Sequence, residues 1–310
     1  MTLVVVAGGT EYVVQLSDRR LTAGHTVTTD ESGKAAVLHC RNARVACGFT
    51  GLAEVAGFRT YQWIAESLAA SAKPDCTLGG ILSRFRTRAT DTFRDHPCLR
   101  HVARRDRRLS ILFAGFLQTD AEPRVVEALV TNYQDYANAF DHDEAQDEFW
   151  MHCRDGFIPG AVNPSFIERI GMWQATKVTD FEGLRTLIES SRPAEAVVAR
   201  GVELMREIAA RPKAMQSVGG QINAIVIPAD QNRDVRAEYF TESPSPHIYQ
   251  PMIIEARNPS FIAAMEATFS TQAADGSPVA ARVPAVHRNA PCPCGSGRRY
   301  RNCHRPRKAI

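Results

Sequence analysis

The chain opens with Met1-Thr2-Leu3-Val4-Val5-Val6-Ala7, which places a small hydroxyl residue directly before an apolar, β-branched run. Such a run favours a buried β-strand. Removal of Met1 would leave Thr2 with a free α-amine at the start of that strand. One residue would then supply both a nucleophilic hydroxyl and a base, because an α-amine has an ordinary pKa of roughly 7.7–8.0, close to working pH. The opening stretch therefore predicts a candidate N-terminal nucleophile.

The next apolar runs predict a β-meander over about the first fifty residues. Strands are expected at 3–7 and 12–16, joined by a glycine turn, and again at 35–39 and 45–49, with 21–29 extended between them. Beyond the meander, helical spacing predicts helices at 52–70, 78–92, 181–190 and 194–210, and apolar runs predict strands at 109–117, 124–133, 221–227 and 236–241. Alternating groups of strands and helices suit two sheets stacked between two helical layers.

Three stretches are expected to lie outside this pattern. Residues 134–175 carry prolines, glycines and acidic residues without a clear period, and are expected to be irregular. Residues 258–268 are expected to form one more helix, and 271–290 a flexible linker rich in Ala, Gly, Ser and Pro.

Composition narrows the class of protein. The chain has 310 residues, 44% hydrophobic and 23% charged, and a net charge of +3, as expected for a globular protein with a sizeable core. It has no apolar run of roughly 20 residues and no signal-peptide pattern at its start, so no membrane association and a cytoplasmic location are expected. In a reducing compartment the five scattered cysteines are expected to be buried thiols: Cys40, Cys47, Cys76, Cys98 and Cys153.

Asp18 and Lys34 follow Thr2 in two equal steps of sixteen residues. In a meander of short strands, such steps can return the chain to the same end of a sheet. A lysine near the terminal amine would disfavour a second positive charge there, and an aspartate would hold that lysine in place. The backbone N–H of Gly51, at the end of a strand, could face the oxyanion of an acyl-transfer intermediate. The alternative is that Asp18 and Lys34 form a salt bridge that only caps two strand ends.

These motifs resemble the proteasome beta-subunit family of N-terminal-nucleophile hydrolases. The matching stretches are Thr2, Ser17-Asp18-Arg19-Arg20, Gly24-His25-Thr26-Val27, Gly33-Lys34, Val45-Ala46-Cys47-Gly48-Phe49-Thr50-Gly51, 193–206 and 217–227. The resemblance implies an α+β fold, a four-layer αββα sandwich, and a homo-oligomer. It implies that Thr2 is the catalytic nucleophile, supported by Asp18 and Lys34, and that Gly51, rather than Gly48, donates to the oxyanion.

The chain departs from the family pattern in two places. The family has a serine in a mid-chain glycine-rich loop, but the nearest loop here, 156–160, contains none. The family also has an aspartate shortly before its late Ser-Gly-Gly, but residues 211–220 contain no acid, so Ser217 is the candidate that partly replaces it. Residues 100–108 and 134–175 look like insertions relative to the family.

The C-terminal end carries a separate motif. Cys292, Cys294, Cys303 and His304 form two close pairs within Pro291-Cys292-Pro293-Cys294-Gly295-Ser296-Gly297-Arg298-Arg299-Tyr300-Arg301-Asn302-Cys303-His304. Three thiolates and an imidazole suit a tetrahedral Zn²⁺ site, and four protein ligands make such a zinc structural. The stretch resembles the SEC-C zinc motif, which implies a small zinc knuckle that docks a partner protein.

The sequence therefore predicts three parts: an N-terminal-nucleophile hydrolase domain at 1–255, a helix and linker at 256–289, and a zinc module at 290–310. The first functional hypothesis is a threonine-type hydrolase of peptide or amide bonds. The alternative is a catalytically inactive scaffold or adaptor that acts through the zinc tail. The basic residues of the tail leave ribosome or nucleic-acid contact as a third hypothesis, but a solvated charged face is favoured, and nucleic acid is not an expected partner.

Overall fold

The computed structural model describes residues 2–23, 26–30, 32–119, 122–135, 140–155, 165–241, 251–259, 261–266, 271–272 and 278–279. These residues form a mixed fold of β-sheets and α-helices. The helices are α1 Thr60–Ser71, α2 Leu78–Asp95, α3 Glu182–Glu189 and α4 Ala194–Ala209. The strands are β1 Leu3–Gly8, β2 Tyr12–Asp18, β3 Leu21–Ala23, β4 Thr26–Thr29, β5 Ala35–Cys40, β6 Ala43–Gly51, β7 Glu54–Val55, β8 Phe58–Arg59, β9 Leu109–Leu117, β10 Arg124–Thr131, β11 Gln134–Asp135, β12 Phe140–Asp141, β13 Trp150–Asp155, β14 Phe166–Gly171, β15 Ile222–Pro228, β16 Arg236–Phe240, β17 Met252–Asn258, β18 Phe261–Glu266, β19 Thr271–Gln272 and β20 Pro278–Val279.

Two large sheets dominate the described part of the chain. One has five strands in the order β14-β1-β2-β15-β16, and the other has seven in the order β13-β10-β9-β6-β5-β17-β18. Neighbouring strands in these two sheets are antiparallel except for β5 and β17, which run parallel with Ile254 opposite Leu38. Strands β1 and β2 are buried along their whole length, as their continuous apolar runs predict.

Three groups of buried side chains show how these elements pack. Val4, Val6 and Val13 of the five-stranded sheet pack with Leu112 and Phe116 of the seven-stranded sheet. The other face of the five-stranded sheet packs against α3 and α4, whose inward residues include Leu184, Val197 and Met205. The other face of the seven-stranded sheet packs against α1 and α2 through Ile64, Leu68, Ile81 and Phe85. Burial of both faces of each sheet removes a large apolar area from water.

The predicted order of the elements is largely confirmed, and the differences lie where strands are short or at an edge. Residues 134–175 are not irregular throughout, because β13 and β14 lie there and form an edge of each large sheet. Edge strands expose alternate side chains, so their apolar pattern is weak; in β14 most residues are only half-buried. The first helix begins at Thr60 rather than residue 52, because the preceding residues form the hairpin of β7 and β8.

The prediction of a helix at 258–268 is wrong, because β18 occupies Phe261–Glu266 and pairs with β17. The five-residue parallel pairing of β17 with β5 draws this segment into the seven-stranded sheet. The sheet therefore extends past residue 255. Of the expected linker, Thr271–Gln272 and Pro278–Val279 are described and pair with each other.

Among the described helices, none combines the length and the apolar character that crossing a membrane requires.

Candidate active site

Thr2 lies at the start of β1, 4% exposed, between strands β6 and β14. Its carbonyl accepts hydrogen bonds from the Met172 N–H at 3.0 Å and from the Thr50 hydroxyl at 3.0 Å. Its nitrogen donates to the Thr50 Oγ1 at 3.2 Å. The backbone on both sides of the Thr2 Cα is therefore fixed, which leaves the side-chain hydroxyl as the group to be positioned.

The Lys34 ammonium group contacts that hydroxyl. Lys34 lies one residue before β5, and its Nζ donates to the Thr2 Oγ1 and to the Arg20 carbonyl. The Asp18 Oδ1 lies 3.7 Å from the Lys34 Nζ, and both side chains are almost completely buried. The structure thus brings together Thr2, Asp18 and Lys34, which are separated by equal steps in the sequence.

Asp18 ends β2 and fixes three segments of backbone. Its Oδ2 accepts the Leu3 N–H at 2.8 Å, and its Oδ1 accepts the Arg20 N–H at 2.9 Å and the Gly219 N–H at 3.2 Å. Hydrogen bonds to a charged carboxylate are stronger than neutral ones, which offsets part of the cost of burial. Asp18 therefore does more than cap a strand end.

Burial sets the protonation of the pair. Loss of water lowers the pKa of Lys34, although the Asp18 and Asp30 carboxylates oppose that fall. Burial likewise raises the pKa of Asp18, against the effect of Lys34 and the three N–H donors. The Asp18 carboxylate favours the ammonium form of Lys34 and so raises its pKa against the effect of burial, and the ammonium is the form that donates to the Thr2 Oγ1.

Gly51 ends β6 with a φ of +107°. Phe49 N–H donates to the Lys34 carbonyl at 3.4 Å, and Leu52 N–H donates to the Arg108 carbonyl at 2.8 Å on the opposite side of β6. Since the N–H groups of a strand alternate between its two neighbours, that of Gly51 lies on the Lys34 side and that of Gly48 faces β9. The role of Gly51 as an oxyanion donor stays a prediction.

Ser217 is half-buried in the loop that follows α4, and its own N–H donates to the Ala214 carbonyl at 2.7 Å. The hydrogen bonds of the described residues do not join its hydroxyl to Thr2. This loop reaches the site instead through the Gly219 N–H on Asp18. Arg20 secures the loop, because its guanidinium bonds the Met215 carbonyl at 2.6 Å and Asp30 at 2.6 Å.

Sequence reasoning missed two residues that shape the site, Thr50 and Gly171. A Cβ atom on Gly171 would lie 1.7 Å from the Thr2 carbonyl oxygen and 2.7 Å from the Thr50 Oγ1, and its φ is +90°. Only glycine allows this close approach of β14 to Thr2. The local sequence Ile170-Gly171-Met172 does not indicate a role for Gly171. That role depends on the pairing of β14 with β1, which brings Gly171 next to Thr2.

The described part of the chain contains no group of three or more His, Cys, Asp or Glu side chains placed to bind a metal ion. The predicted zinc ligands Cys292, Cys294, Cys303 and His304 lie outside the described residues. Of the five other cysteines, Cys40, Cys47 and Cys76 are buried as expected, Cys98 is half-buried and Cys153 is exposed.

Comparison with known proteins identifies the tail motif and a set of similar folds. Residues 288–306 match the SEC-C motif. Protein translocase subunit SecA from Paraburkholderia xenovorans is 38% identical over 74 residues, 24% of this chain and 8% of that protein. SecA from Myxococcus xanthus is 66% identical over 32 residues, 10% of this chain and 3% of that protein. The chain thus spans less than a tenth of the length of these curated relatives.

Solved structures similar to this chain include three of Anbu proteins. Anbu (ancestral beta-subunit) from Yersinia bercovieri has a TM-score of 0.44 and 12% identity, covering 74% of this chain and 82% of that one. The helical assembly of the Anbu complex from Pseudomonas aeruginosa has a TM-score of 0.49 and 15% identity, covering 78% and 88%. An Anbu mutant from Hyphomicrobium sp. strain MC1 has a TM-score of 0.46 and 12% identity, covering 77% and 87%. The mixed fold of sheets and helices is similar to these Anbu structures, and the tail carries a SEC-C motif.

Proposed function

We propose that the protein is a hydrolase of peptide or amide bonds that uses Thr2, freed by removal of Met1, as its nucleophile. The observation that carries the proposal is the contact of the Lys34 Nζ with the Thr2 Oγ1, in a buried site that Asp18 completes at 3.7 Å. A salt bridge that only stabilised the fold would not need a threonine hydroxyl as a third member. Burial of all three groups strengthens their electrostatic interaction.

In the first half of the reaction, the Thr2 Oγ attacks the carbonyl carbon and its proton passes to the Thr2 α-amine. The Lys34 ammonium stabilises the developing negative charge on Oγ, and the Gly51 N–H donates to the carbonyl oxygen as it becomes an oxyanion. The C–N bond then breaks, and the leaving amine takes the proton from the Thr2 ammonium. An ester between Thr2 and the acyl group remains.

In the second half, the neutral α-amine takes a proton from water, and the hydroxide formed attacks the ester. The C–O bond to Thr2 breaks, and the Thr2 Oγ takes the proton from the ammonium, which becomes the neutral amine again. The products are a carboxylic acid and the free Thr2. Asp18 keeps Lys34 in place in both halves.

The layer arrangement of the fold and the division of the chain into domains are part of the same proposal. Packing of helices on the outer faces of two stacked sheets supports a four-layer αββα sandwich. We propose a hydrolase domain, a connecting segment and a SEC-C module whose cysteines and histidine hold one structural Zn²⁺ and dock a partner protein. The donor set of three thiols and one imidazole fits zinc. A homo-oligomer in the cytoplasm completes the proposal.

Intact mass spectrometry with a β-lactone tests the proposed activity. The protein is expected to lack Met1 and to gain one adduct, which Thr2→Ala loses and Thr2→Ser keeps. Thr2→Ala is the control, because alanine also permits removal of Met1 and has no hydroxyl for the β-lactone to acylate. A free Thr2 that stays unlabelled would contradict the proposal.

The second candidate is an inactive scaffold that acts through its SEC-C module. The specific observation that favours it is the absence of an acid in residues 211–220, because the loop reaches Asp18 only through the Gly219 N–H. This candidate predicts that Thr2→Ala has no effect on the cellular role of the protein, whereas a Cys292→Ser variant loses it.

A further inference from the structure

The environment of the Thr2 nitrogen contains a hydroxyl that the proposed mechanism does not yet use. Thr50 accepts the peptide N–H of Thr2 at 3.2 Å, from the nitrogen that becomes the α-amine once Met1 is removed, and donates its own proton to the Thr2 carbonyl at 3.0 Å. Both atoms belong to the residue that would act as nucleophile and base. Thr50 lies in β6 one residue before Gly51, on a strand fixed between β5 and β9. A hydroxyl on such a rigid element can set an orientation with precision.

We propose that Thr50 is a positioning residue: its hydroxyl holds the Thr2 α-amine so that the nitrogen lone pair faces the Thr2 Oγ. This inference rests on the proposed function and deepens it. The lone pair must lie within hydrogen-bond reach of the hydroxyl proton for the amine to act as a base. With its own proton on the Thr2 carbonyl, the Thr50 oxygen can only accept from the amine, so it takes an amine N–H and leaves the lone pair free.

The contact is independent of the two departures from the family pattern, the loop at 156–160 without a serine and residues 211–220 without an acid. Thr50 provides a hydroxyl at the Thr2 nitrogen from strand β6. Charged groups near the amine are Lys34 on the approach to β5 and Asp18 at the end of β2, with Asp30 and Arg19 acting on Lys34.

The test compares Thr50→Val, Thr50→Ser and Thr60→Val in the full chain with Thr2 free. Should Met1 be retained, cleavage of an N-terminal ubiquitin fusion supplies the free Thr2. Thr60 is the matched control: it is a completely buried threonine at the start of α1, its hydroxyl has no hydrogen bond among the described residues, and it lies outside the site. If Thr50→Val does not fold, judged by circular dichroism, Thr50→Ala replaces it.

Two readouts are needed, the pH titration of the nitrogen-15 resonance of the Thr2 amine and the pH profile of β-lactone acylation. Thr50→Val is expected to lower the pKa of the amine, because an ammonium loses its acceptor, and to slow acylation at the plateau about tenfold or more. The rising limb of the acylation profile should move to lower pH with the amine. Thr50→Ser should restore both values, and Thr60→Val should change neither.

The outcomes separate the two proposals. An amine that titrates identically in Thr50→Val and in the unsubstituted protein overturns the role of Thr50, whether or not the protein is labelled. A titration that shifts with Thr50→Val in a protein that no β-lactone acylates supports the placement of Thr50 and contradicts the hydrolase. A uniform loss of rate in Thr50→Val with an unmoved pH profile shows a structural role only, and overturns the inference.

Discussion

At the scale of single residues, Lys34 and Asp18 are the charges on which the site depends. Removing one partner of a buried pair leaves the other uncompensated and is strongly destabilising, by roughly 3–5 kcal/mol. Lys34→Met should therefore lower the free energy of unfolding by about 3 kcal/mol and abolish labelling of Thr2. Urea unfolding and intact mass measure the two effects.

A double variant separates stability from reactivity. Asp18→Asn combined with Lys34→Met removes both charges, so part of the lost unfolding free energy should return; the rest should not, because asparagine has one oxygen for N–H groups that two carboxylate oxygens accept. Labelling should stay absent because Thr2 has no ammonium beside it. Labelling that recovered in the double variant would contradict the proposed role of Lys34.

Glu127 of β10 provides a prediction about pH. Burial, followed by the nearby Glu168, raises the pKa of Glu127 from 4.5 to about 8, and Arg154 opposes the rise. Between these values the unfolded chain has lost the proton that the folded chain keeps. The free energy of unfolding should then fall as pH rises from about 4.5 to about 8, by at most about 1.4 kcal/mol per pH unit for one proton.

The Glu127→Gln variant checks this expectation. A glutamine keeps the shape of the neutral acid but cannot ionise, so its unfolding free energy should change less between pH 5 and pH 8 than that of the unsubstituted protein. Equal slopes in urea titrations at the two pH values would show that Glu127 is not the group responsible.

At the residue scale, the sequence predicted those site residues whose spacing along the chain indicates that they lie close together. Equal steps through a meander led to Thr2, Asp18 and Lys34, and the structure brings these three together. Thr50 and Gly171 were missed because their contacts with Thr2 span long stretches of sequence. Such contacts depend on how the sheets pair, and no local pattern records that.

At the scale of elements, the close approach of β14 to β1 is the feature with the clearest test. Gly171→Ala would place a methyl group on the Thr2 carbonyl at a positive φ. We expect a loss of about 2–4 kcal/mol in unfolding free energy and a loss of Thr2 labelling, because Thr2 must move. Thermal unfolding and intact mass measure both.

Gly57→Ala is the control for that prediction. Gly57 has a φ of +84°, but nothing lies within 4 Å of its added Cβ. The Gly57→Ala variant should lose only roughly 1 kcal/mol of unfolding free energy, from its strained backbone, and should keep full labelling of Thr2. Equal losses of labelling in the two variants would mean that the contact with Thr2 is unimportant.

Helices with a clear helical spacing of apolar residues were predicted well. Strands whose conformation depends on pairing with a neighbouring strand were not. Helices α2 and α4 begin at the predicted residues. Strand β18 was predicted to be helical because its residues, Phe-Ile-Ala-Ala-Met-Glu, have weak strand character, and its pairing with β17 decides its conformation. Strands β13 and β14 were missed because each lies at the edge of a large sheet; in β14, four of the six residues are only half-buried.

At the scale of the whole molecule, the SEC-C match at 288–306 adds a proposed zinc site to the chain that carries the proposed Thr2 nucleophile. We expect one zinc ion per chain by elemental analysis, and little or none in Cys292→Ser. Removal of zinc with a chelator should leave Thr2 labelling unchanged, since the metal is expected to be structural. Loss of labelling on chelation would show that the two parts act together.

The carboxylate of Asp18 has a further consequence for how the protein matures. It joins backbone groups 15, 2 and 201 residues away in the chain. No fragment that stops short of Gly219 can complete this set of hydrogen bonds, so the site would stay incomplete in a nascent chain until about 70% of the 310 residues had been synthesised. Thr2 would then become reactive only at a late stage of folding, in a single step. The rate at which Thr2 becomes labelled during refolding would therefore measure the rate of that last folding step.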